Sequence, residues 1–214
     1  MDTNKVWEWT IEEFLTESAG SSPTPGGGSV SAYVGALAAA MICMVANLTL
    51  GKEKYQEVEP QVKEILVQAD RILSLLKIGL NQDIAVFSDF MAVFKLPKGS
   101  EAEKRVRARK MQEALLSATD TPLGISQNCY QILQLAHKLA PIGNLGAISD
   151  VGVAAYLAES ALKSALLSVD INLPQIKDEG YQSRVKAERS GLIKQASVLC
   201  AETIVVVQSR ISGS

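Results

Sequence analysis

The sequence predicts an all-α fold, a multi-helical bundle of six to eight helices with long, alanine-rich buried helices, forming a single domain over residues 1–214. Three observations support this prediction. Apolar residues recur at steps of three and four over long stretches, whereas the alternating pattern typical of β-strands is nearly absent. Hydrophobic residues make up 47% of the chain but aromatic residues only 5%, so the core must consist largely of small side chains on closely packed backbones. A length of 214 residues favours one domain or two small ones.

The N-terminal part of the sequence predicts a short helix followed by a turn. Thr10 and Glu13 form a capping-box pattern, in which each side chain binds the backbone N–H group of the other residue at a helix start. The prolines and glycines from Pro23 to Gly28 then predict a turn that is not helical.

A long charge-free run follows this turn. No charged residue occurs between Glu17 and Lys52, and the segment 28–50 is long enough to span a bilayer. Its apolar residues are largely alanine and glycine, which drive membrane insertion weakly, and no basic flank precedes it. We therefore predict a buried helix of a soluble protein and no membrane association.

Small residues recur at steps of three and four along this helix. They are Gly28, Ala32, Gly35, Ala39, Cys43 and Ala46. Because the other faces are apolar too, the pattern predicts a helix that is buried on all sides. A second stretch has the same spacing, with Ala154, Ala158, Ala161 and Ala165. Two such helices would pack closely together at the centre of the fold or of a dimer.

Five further helices are predicted from apolar periodicity and from helix-end signals. They are a helix over 57–94, one capped by Ser100 with Glu103, one with Thr121 as N-cap before Pro122, the second alanine-rich helix opened by Ser149 and Asp150, and a last helix over 182–211. Residues 171–174 are predicted to be extended.

Charge and the scarcity of reactive side chains exclude several function classes. The chain carries 21 Lys and Arg against 23 Asp and Glu, so it lacks the basic surplus of a nucleic-acid-binding protein. Cys43, Cys129 and Cys200 are widely spaced and odd in number, which predicts free thiols in a reducing compartment. His137 is the only histidine and no GxSxG motif accompanies it, so neither a zinc site nor a serine triad is expected. Any chemistry should use carboxylates, amides and hydroxyls, without a metal.

Asp83 is the strongest candidate for a catalytic residue. It falls between Leu80 and Phe87 on an apolar helical stripe that also holds Phe90 and Phe94. A carboxylate on a core-facing stripe is costly unless it is paired or functional. Partial burial would raise its pKa and suit it to acid–base chemistry. The alternative is a structural aspartate bound to a buried backbone group or to an arginine.

The glycine-rich segment Pro23–Ser29 is the second candidate site. Its three glycines permit backbone conformations closed to other residues, and its N–H groups lie at a helix start, which suits an anionic or carbonyl-rich ligand. The segment has neither the GK[ST] of a P-loop nor a GxGxxG fingerprint. The alternative is a simple turn.

Three other polar residues are candidates for ligand binding. Asn144 and Asp150 could form a second polar loop, although Asp150 could equally cap a helix. Asn47, on the predicted buried helix, needs a hydrogen-bond partner, which would be either the ligand or a neighbouring carbonyl.

Lys104, Arg105 and Arg107 form a basic cluster. Such a cluster is either a solvated helix face or a landing site for a polyanionic ligand tail. The same two alternatives apply to Lys52.

Four segments together carry a resemblance to a known family. They are PTPGGGSVSA (23–32), MVANLTLGKEKY (44–55), DIAVFSDFMAVFKLPKG (83–99) and GNLGAISDVGVAA (143–155). In this order they resemble the cyclodeaminase/cyclohydrolase family of folate enzymes, which comprises the cyclodeaminase half of formiminotransferase-cyclodeaminase and its stand-alone bacterial relatives. The resemblance extends over nearly the whole chain.

The resemblance implies an all-α, cytoplasmic enzyme that forms homodimers or larger assemblies. It implies a tetrahydrofolate derivative as substrate, including polyglutamylated forms that would engage the basic cluster, with no metal and no further cofactor. The family's catalytic aspartate matches Asp83. The residues matching family motifs near a folate pocket are Thr24, Pro25, Gly26, Gly27, Gly28, Ser29, Asn144 and Asp150, and we add Asn47 and Lys52 of the second segment as substrate-binding candidates.

Two reactions are implied by this resemblance. A 5-formiminotetrahydrofolate cyclodeaminase closes N10 onto the amidine carbon and releases ammonia, whereas a 5,10-methenyltetrahydrofolate cyclohydrolase adds water to the methenyl carbon. In both, Asp83 would transfer protons. The competing hypothesis is a non-enzymatic helical module for folate binding or assembly.

Overall fold

The computed structural model describes residues 3–213, which form six α-helices, four short 3₁₀ segments and, within these residues, no β-strand. The helices are α1 (Ile11–Ser18), α2 (Gly27–Thr49), α3 (Glu59–Phe94), α4 (Glu101–Leu139), α5 (Ile148–Asn172) and α6 (Glu179–Ser212). The prediction of an all-α bundle of six to eight helices is thereby confirmed.

Helices α2 to α5 form the centre of the bundle. Helix α2 packs against α3 and α5, helix α4 packs against the same two helices, and α6 covers α4 and α5. Ala32, Ala39 and Ala46 of α2 are fully buried, as the small-residue spacing predicts. Gly35 shows why the spacing matters, since a Cβ atom there would lie 2.7 Å from Cys129 Sγ of α4. Small residues thus allow the close approach of the helices.

The prediction that α2 is buried on all sides is wrong. Val30, Leu37 and Leu48 are 38%, 43% and 42% exposed. Their spacings of 7 and 11 residues place them on one face of the helix, and we call them the α2 stripe. An apolar residue on a helix is buried only where another element covers it, and no described element covers this face.

Both predicted capping boxes are present. The Thr10 backbone N–H donates to Glu13 Oε2 at 2.7 Å, and the Ser100 N–H donates to Glu103 Oε2 at 2.8 Å. In both cases the hydroxyl accepts the N–H of the glutamate in return. These helix starts depend only on residues three positions apart, which explains why local sequence predicts them.

Three predicted boundaries are wrong. Gly27 and Gly28 already belong to the first turn of α2 instead of a non-helical turn. Pro122 does not open a new helix but lies inside α4, which continues through it. Residues 171–174 are not extended, because α5 runs to Asn172 and a 3₁₀ turn follows. In the last two cases, contacts between α4 and α5 hold the chain in a conformation that local propensity disfavours.

The predicted start of α5 needs a smaller correction. The helix begins at Ile148, so Ser149 and Asp150 lie in its first turn and neither caps it. Instead, Asn144 caps the preceding 3₁₀ turn by accepting the N–H of Gly146 at 2.9 Å.

Three helical segments of the described chain are long and apolar enough to cross a membrane by length and composition alone. They are 27–49, 145–175 and 179–212. In the first two, about half of the most apolar window is buried inside the bundle, with 56% and 50%. Packing inside the protein therefore accounts for much of the apolar surface of these two segments, whereas only 22% of the third window is buried. The absence of a membrane partner stays a prediction.

Candidate active site

A cavity of about 340 Å³ lies where the start of α2 meets α3, α4 and the end of α5. This volume is at the lower end of the range of about 300–1,000 Å³ that is usual for small-molecule sites. The predicted site residues that line it are Thr24, Gly26, Gly27, Gly28 and Asp83. The structure therefore brings the glycine-rich segment and the carboxylate into one site, although they are more than 50 residues apart in sequence.

The glycine-rich segment forms the entrance to α2. Gly26 is the N-cap and has no side chain that could accept the N–H groups of the first turn. These groups have no partner within the helix, and they carry the positive end of the helix dipole. Pro25 is buried behind the loop and follows a cis peptide bond. The loop thus brings backbone donors to the cavity without side chains that would fill it.

Asp83 is held against the start of α2 by Ser29. The hydroxyl of Ser29 is fully buried and donates to Asp83 Oδ2 at 2.7 Å. Gly28 makes this contact possible, because a Cβ atom at that position would lie only 2.1 Å from Asp83 Oδ1. One carboxyl oxygen is thereby fixed by a hydrogen bond, while the side chain also lines the cavity.

The environment of Asp83 perturbs its ionisation. Burial raises the pKa of the Asp83 carboxyl above the ordinary value, because the charged form loses hydration. The hydroxyl and the backbone N–H of Ser29 lower this pKa by hydrogen bonding to the carboxylate, but their effect is smaller. The side chain is thus tuned towards proton exchange nearer neutrality than an exposed aspartate.

We expect Ser29→Ala to raise the pKa of Asp83 further, because the substitution removes a hydrogen bond that stabilises the charged form. A ¹³C NMR titration of the Asp83 carboxyl carbon measures this shift. The matched control is Ser31→Ala, since the Ser31 hydroxyl donates to Gly27 O within the same helix. An unchanged or lowered pKa in Ser29→Ala would contradict the prediction.

The aromatic stripe beside Asp83 only partly faces the cavity. Phe87 and Phe90 line it together with Val86. Phe94 lies further along α3, is 50% exposed and contacts Phe90 edge-on. Two of the three rings therefore exclude water next to the carboxyl group.

Four polar residues of the cavity were missed by the sequence reasoning. They are Thr121 of α4, Ser168 and Asn172 of α5, and Gln175 of the following turn. None stands in a recognisable motif. The one sequence signal near any of them is Pro122, next to Thr121, and this pair predicts a helix start instead of a cavity residue.

The structure does not bring Asn144 to this cavity. Its side-chain Nδ2 donates to Leu48 O at 2.6 Å, and its backbone N–H donates to Thr49 Oγ1 at 2.8 Å. Both contacts lie at the C-terminal end of α2. At 1.5 Å per residue this end is about 30 Å from Gly28. Within one chain the contacts of Asn144 are structural, since they bind the α4–α5 connection to the end of α2.

Asp150, Asn47 and Lys52 also lie outside the cavity within one chain. Asp150 belongs to the first turn of α5, next to the Asn144 connection. Asn47 is exposed, so the expectation that it is buried and needs an internal partner is wrong. Lys52 is exposed just beyond α2.

The basic cluster lies beyond a groove between α3 and α4, whose charged lining residues are Asp89, Lys110 and Glu113. Val86 lines both the cavity and this groove, which leads along the two helices to Lys110. Beyond it, Lys104 and Arg107 line a further hollow together with Lys98. The ammonium of Lys104 is 2.7 Å from Glu101, and Arg107 donates to Val93 O at 3.3 Å. Arg105 is exposed on the same helix.

No group of three or more His, Cys, Asp or Glu side chains within residues 3–213 is arranged to hold a metal ion. Asp83 reaches the cavity as a lone carboxylate among glycines, hydroxyls, amides and aromatic rings. What this arrangement offers chemically is one proton-exchanging group in a largely apolar pocket.

Comparison with known proteins agrees with the resemblance seen in the sequence. A family model described as formiminotransferase-cyclodeaminase matches residues 10–191. The methenyltetrahydrofolate cyclohydrolase of Methylorubrum extorquens is 40% identical over 203 residues, which cover 95% of this chain and 98% of that protein. The formimidoyltransferase-cyclodeaminase of Rattus norvegicus is 28% identical, and the match covers 94% of this chain but 37% of the rat protein.

A solved structure shares the whole fold. The crystal structure of formiminotetrahydrofolate cyclodeaminase from Thermotoga maritima superposes with a TM-score of 0.80 at 28% sequence identity, and the match covers 98% of each chain. Sequence and fold thus agree over nearly the entire length, and the chain belongs to the formiminotransferase-cyclodeaminase family.

Proposed function

We propose that this protein is a folate one-carbon enzyme that acts at the methenyl or formimino carbon of tetrahydrofolate. The observation that carries the proposal is the half-buried Asp83 carboxyl, with a raised pKa and one oxygen bound by Ser29, at the wall of a cavity. The names of its relatives, a methenyltetrahydrofolate cyclohydrolase and a formiminotetrahydrofolate cyclodeaminase, support the substrate class.

Between the two reactions, the comparisons favour methenyltetrahydrofolate cyclohydrolase. The relative with that name is 40% identical and matches over nearly the full length of both chains. The second candidate is formiminotetrahydrofolate cyclodeaminase, because the solved structure of that name also matches over the full length.

In the cyclohydrolase reaction, Asp83 acts first as a base. Its carboxylate accepts a proton from water as the oxygen attacks the cationic methenyl carbon. The tetrahedral intermediate then collapses with cleavage of the carbon–N5 bond, and N5 takes up a proton, leaving the formyl group on N10. One proton is released overall. The carboxylate also stabilises the cationic substrate electrostatically, since the pocket is largely apolar.

In the cyclodeaminase reaction, the same group serves two steps. N10 attacks the carbon of the protonated amidine held on N5 and gives its proton to the Asp83 carboxylate, which leaves a neutral tetrahedral intermediate that carries an amino group. The protonated Asp83 then donates a proton to the leaving nitrogen, so that ammonia departs and the methenyl bridge forms. Both reactions pass through one tetrahedral carbon beside one carboxyl group, and both fit the same cavity.

The methenyl chromophore distinguishes the two reactions. Purified protein is incubated separately with 5-formiminotetrahydrofolate and with 5,10-methenyltetrahydrofolate, and absorbance is followed against the spontaneous rate. Loss of absorbance from the second substrate supports cyclohydrolase, and its appearance from the first supports cyclodeaminase. No change with either substrate supports a non-enzymatic binding module. We also propose that no metal or other cofactor is needed, so activity should persist in excess EDTA.

We propose that the α3–α4 groove carries the glutamate tail of the substrate towards the basic cluster. The groove shares Val86 with the cavity, and Arg107, which lines the next hollow with Lys104, donates to the carbonyl of Val93 in the groove wall. A tail that leaves the cavity along α3 passes Asp89 and Glu113, of which Glu113 is paired with Lys110, and then reaches the positive charge of the cluster.

Replacing Lys104, Arg105 and Arg107 with glutamine should raise the KM for a polyglutamylated substrate several-fold more than the KM for the monoglutamate. Exposed charges act weakly and are screened by salt, so the difference should shrink at high ionic strength. Steady-state kinetics with both substrates at two salt concentrations provides the measurement. Equal changes for both substrates would mean that the cluster is only a solvated helix face.

We propose that a second copy of the chain covers the α2 stripe in a homodimer. Val30, Leu37 and Leu48 follow the full length of α2, and the neighbouring α5 exposes Val153 and Tyr156. Apolar surface of this extent along the central helices favours an obligate contact between identical chains.

Leu37→Glu should convert the dimer to a monomer, because it places a charge at the middle of the α2 stripe. Light scattering coupled to size exclusion measures the mass of the particle. Val67→Glu is the matched control, since Val67 is 70% exposed on a different helix. If the wild-type chain is monomeric, or if both variants keep the wild-type mass, the α2 stripe is not a dimer contact.

A further inference from the structure

Pro122 leaves a gap in the hydrogen bonds of α4. Proline has no backbone N–H, so the carbonyl of Ala118, four residues earlier, cannot receive its usual intrahelical hydrogen bond. Ala118 is only partly exposed, so its carbonyl needs another donor. The missing hydrogen bond lies in the wall of the cavity, because Ala118 and Thr121 both line the cavity.

Asn172 of α5 fills the gap. Its Nδ2 donates to Ala118 O at 2.9 Å. A carbonyl oxygen can only accept a hydrogen bond, so the NH2 group of the Asn172 amide must be the end that faces α4. The amide oxygen Oδ1 is left as the acceptor that Asn172 can offer to a ligand, and Asn172 itself lines the cavity.

The side-chain amide of the nearby residue Gln175 is oriented in the same way. Its Nε2 donates to Ile171 O at 3.2 Å, which leaves Oε1 as an acceptor at the cavity. Thr121 and Ser168 add two hydroxyl groups to this wall. The α4–α5 side of the cavity is therefore rich in acceptors, whereas Asp83 and the glycine-rich loop come from α2 and α3.

An acceptor-rich wall matches one end of a reduced folate. The pyrimidine edge of the pteridine carries N–H donors at N3 and at the 2-amino group, while the reacting N5 and N10 lie on the side of the other ring. We propose that Asn172 Oδ1, held in place by the gap at Pro122, accepts a hydrogen bond from this pteridine edge. Asn172 is thus a specificity-determining residue, and Pro122 is a positioning residue that acts through it.

This inference rests on the proposed function and gives the substrate an orientation in the cavity. With the pteridine edge bound at α4 and α5, the one-carbon unit is directed to Asp83. The tail leaves past Val86, which lines both the cavity and the α3–α4 groove.

Two single variants and their combination test the inference. Asn172→Leu removes the Oδ1 acceptor together with the Nδ2 donor and keeps the branched shape of the side chain. Pro122→Ala restores the N–H that the Ala118 carbonyl lacks, so the Asn172 amide loses its fixed partner. Because proline is the least favourable residue inside a helix, Pro122→Ala should not lower the melting temperature. The double variant shows whether the two residues act together.

We expect Asn172→Leu to weaken binding of 5-formyltetrahydrofolate by about tenfold, the effect of one hydrogen bond to a buried partner. Calorimetry measures this affinity, and kcat at saturating substrate should change by less than about threefold, since uniform binding affects KM. Pro122→Ala should weaken binding by a smaller factor, and the double variant should match Asn172→Leu. Binding of p-aminobenzoylglutamate, which lacks the pteridine, should not change. The control Asn128→Leu, an α4 amide outside the cavity, should bind both ligands as wild type does.

The outcomes separate this inference from the proposed function. If wild type turns over substrate while Asn172→Leu binds 5-formyltetrahydrofolate normally, the inference is wrong and the function stands. Equal weakening for p-aminobenzoylglutamate would reveal a general structural defect and also overturn the inference. Additive effects in the double variant would refute the positioning role of Pro122. If wild type neither binds nor converts a folate, the proposed function itself fails, and the inference fails with it.

Discussion

Replacing Asp83 with asparagine should lower turnover by about 10²–10⁴-fold, the usual contribution of a positioned acid–base group. The amide can still accept the Ser29 hydroxyl hydrogen bond, so the geometry at the start of α2 should persist. It cannot exchange a proton near neutral pH, and this function is what both proposed reactions require. Steady-state kinetics on the methenyl and the formimino substrates measures the loss.

The fold should survive this substitution. Burial disfavours the charged form of Asp83, as its raised pKa indicates, so a neutral amide of equal size should not lower the melting temperature. Asp70→Asn, at an exposed position of the same helix that lines neither the cavity nor the groove, is the matched control and should keep wild-type kinetics. Near-normal rates of Asp83→Asn on both substrates would refute the catalytic assignment.

Gly28→Ala should cost about 10²-fold in turnover, since a displacement of about 1 Å at a reacting group has this effect. The added Cβ atom would lie 2.1 Å from Asp83 Oδ1 and 2.6 Å from its Cγ. Because such contacts are far inside van der Waals distance, either the carboxyl group or the start of α2 must move. The Ser29–Asp83 hydrogen bond should weaken in both cases.

Gly191→Ala is the matched control for this prediction. It adds the same methyl group inside α6, outside the cavity, where no atom lies within 4 Å. Because alanine is the better helix former, we expect a gain in stability of about 0.4–1 kcal/mol with turnover within a few-fold of wild type. Thermal unfolding and kcat/KM of both variants provide the comparison. Equal activity of Gly28→Ala and Gly191→Ala would show that the close approach of Gly28 and Asp83 has no catalytic function.

The sequence predicted the catalytic candidate because its signal is local. Asp83 breaks an apolar periodicity that Leu80 and Phe87 continue, and this pattern is visible within two helical turns. The capping boxes at Thr10 and Ser100 are equally local. By contrast, Asn172 carries no signal of its own, since its relevance depends on the Ala118 carbonyl 54 residues earlier.

The predictions that do not match the structure of a single chain have the same physical origin. Pro122 is a helix-start signal in isolation, yet α4 continues through it because Asn172 of α5 satisfies the carbonyl that proline leaves free. Asn144 follows a motif that resembles a folate-site segment, but within one chain its hydrogen bonds go to the end of α2. Both outcomes depend on partners that are remote in sequence.

The sequence by itself thus determined the all-α class, the small-residue surface of α2 and the family, because helix periodicity, residue size and ordered motifs are properties of neighbouring positions. Only the tertiary structure decided which face of α2 remains exposed and which residues share a cavity with Asp83. The reason is that burial and hydrogen bonding depend on what packs against a residue. The contact of Ser29 with Asp83 and that of Asn172 with Ala118 each join residues 54 positions apart, and no local pattern encodes such a pairing.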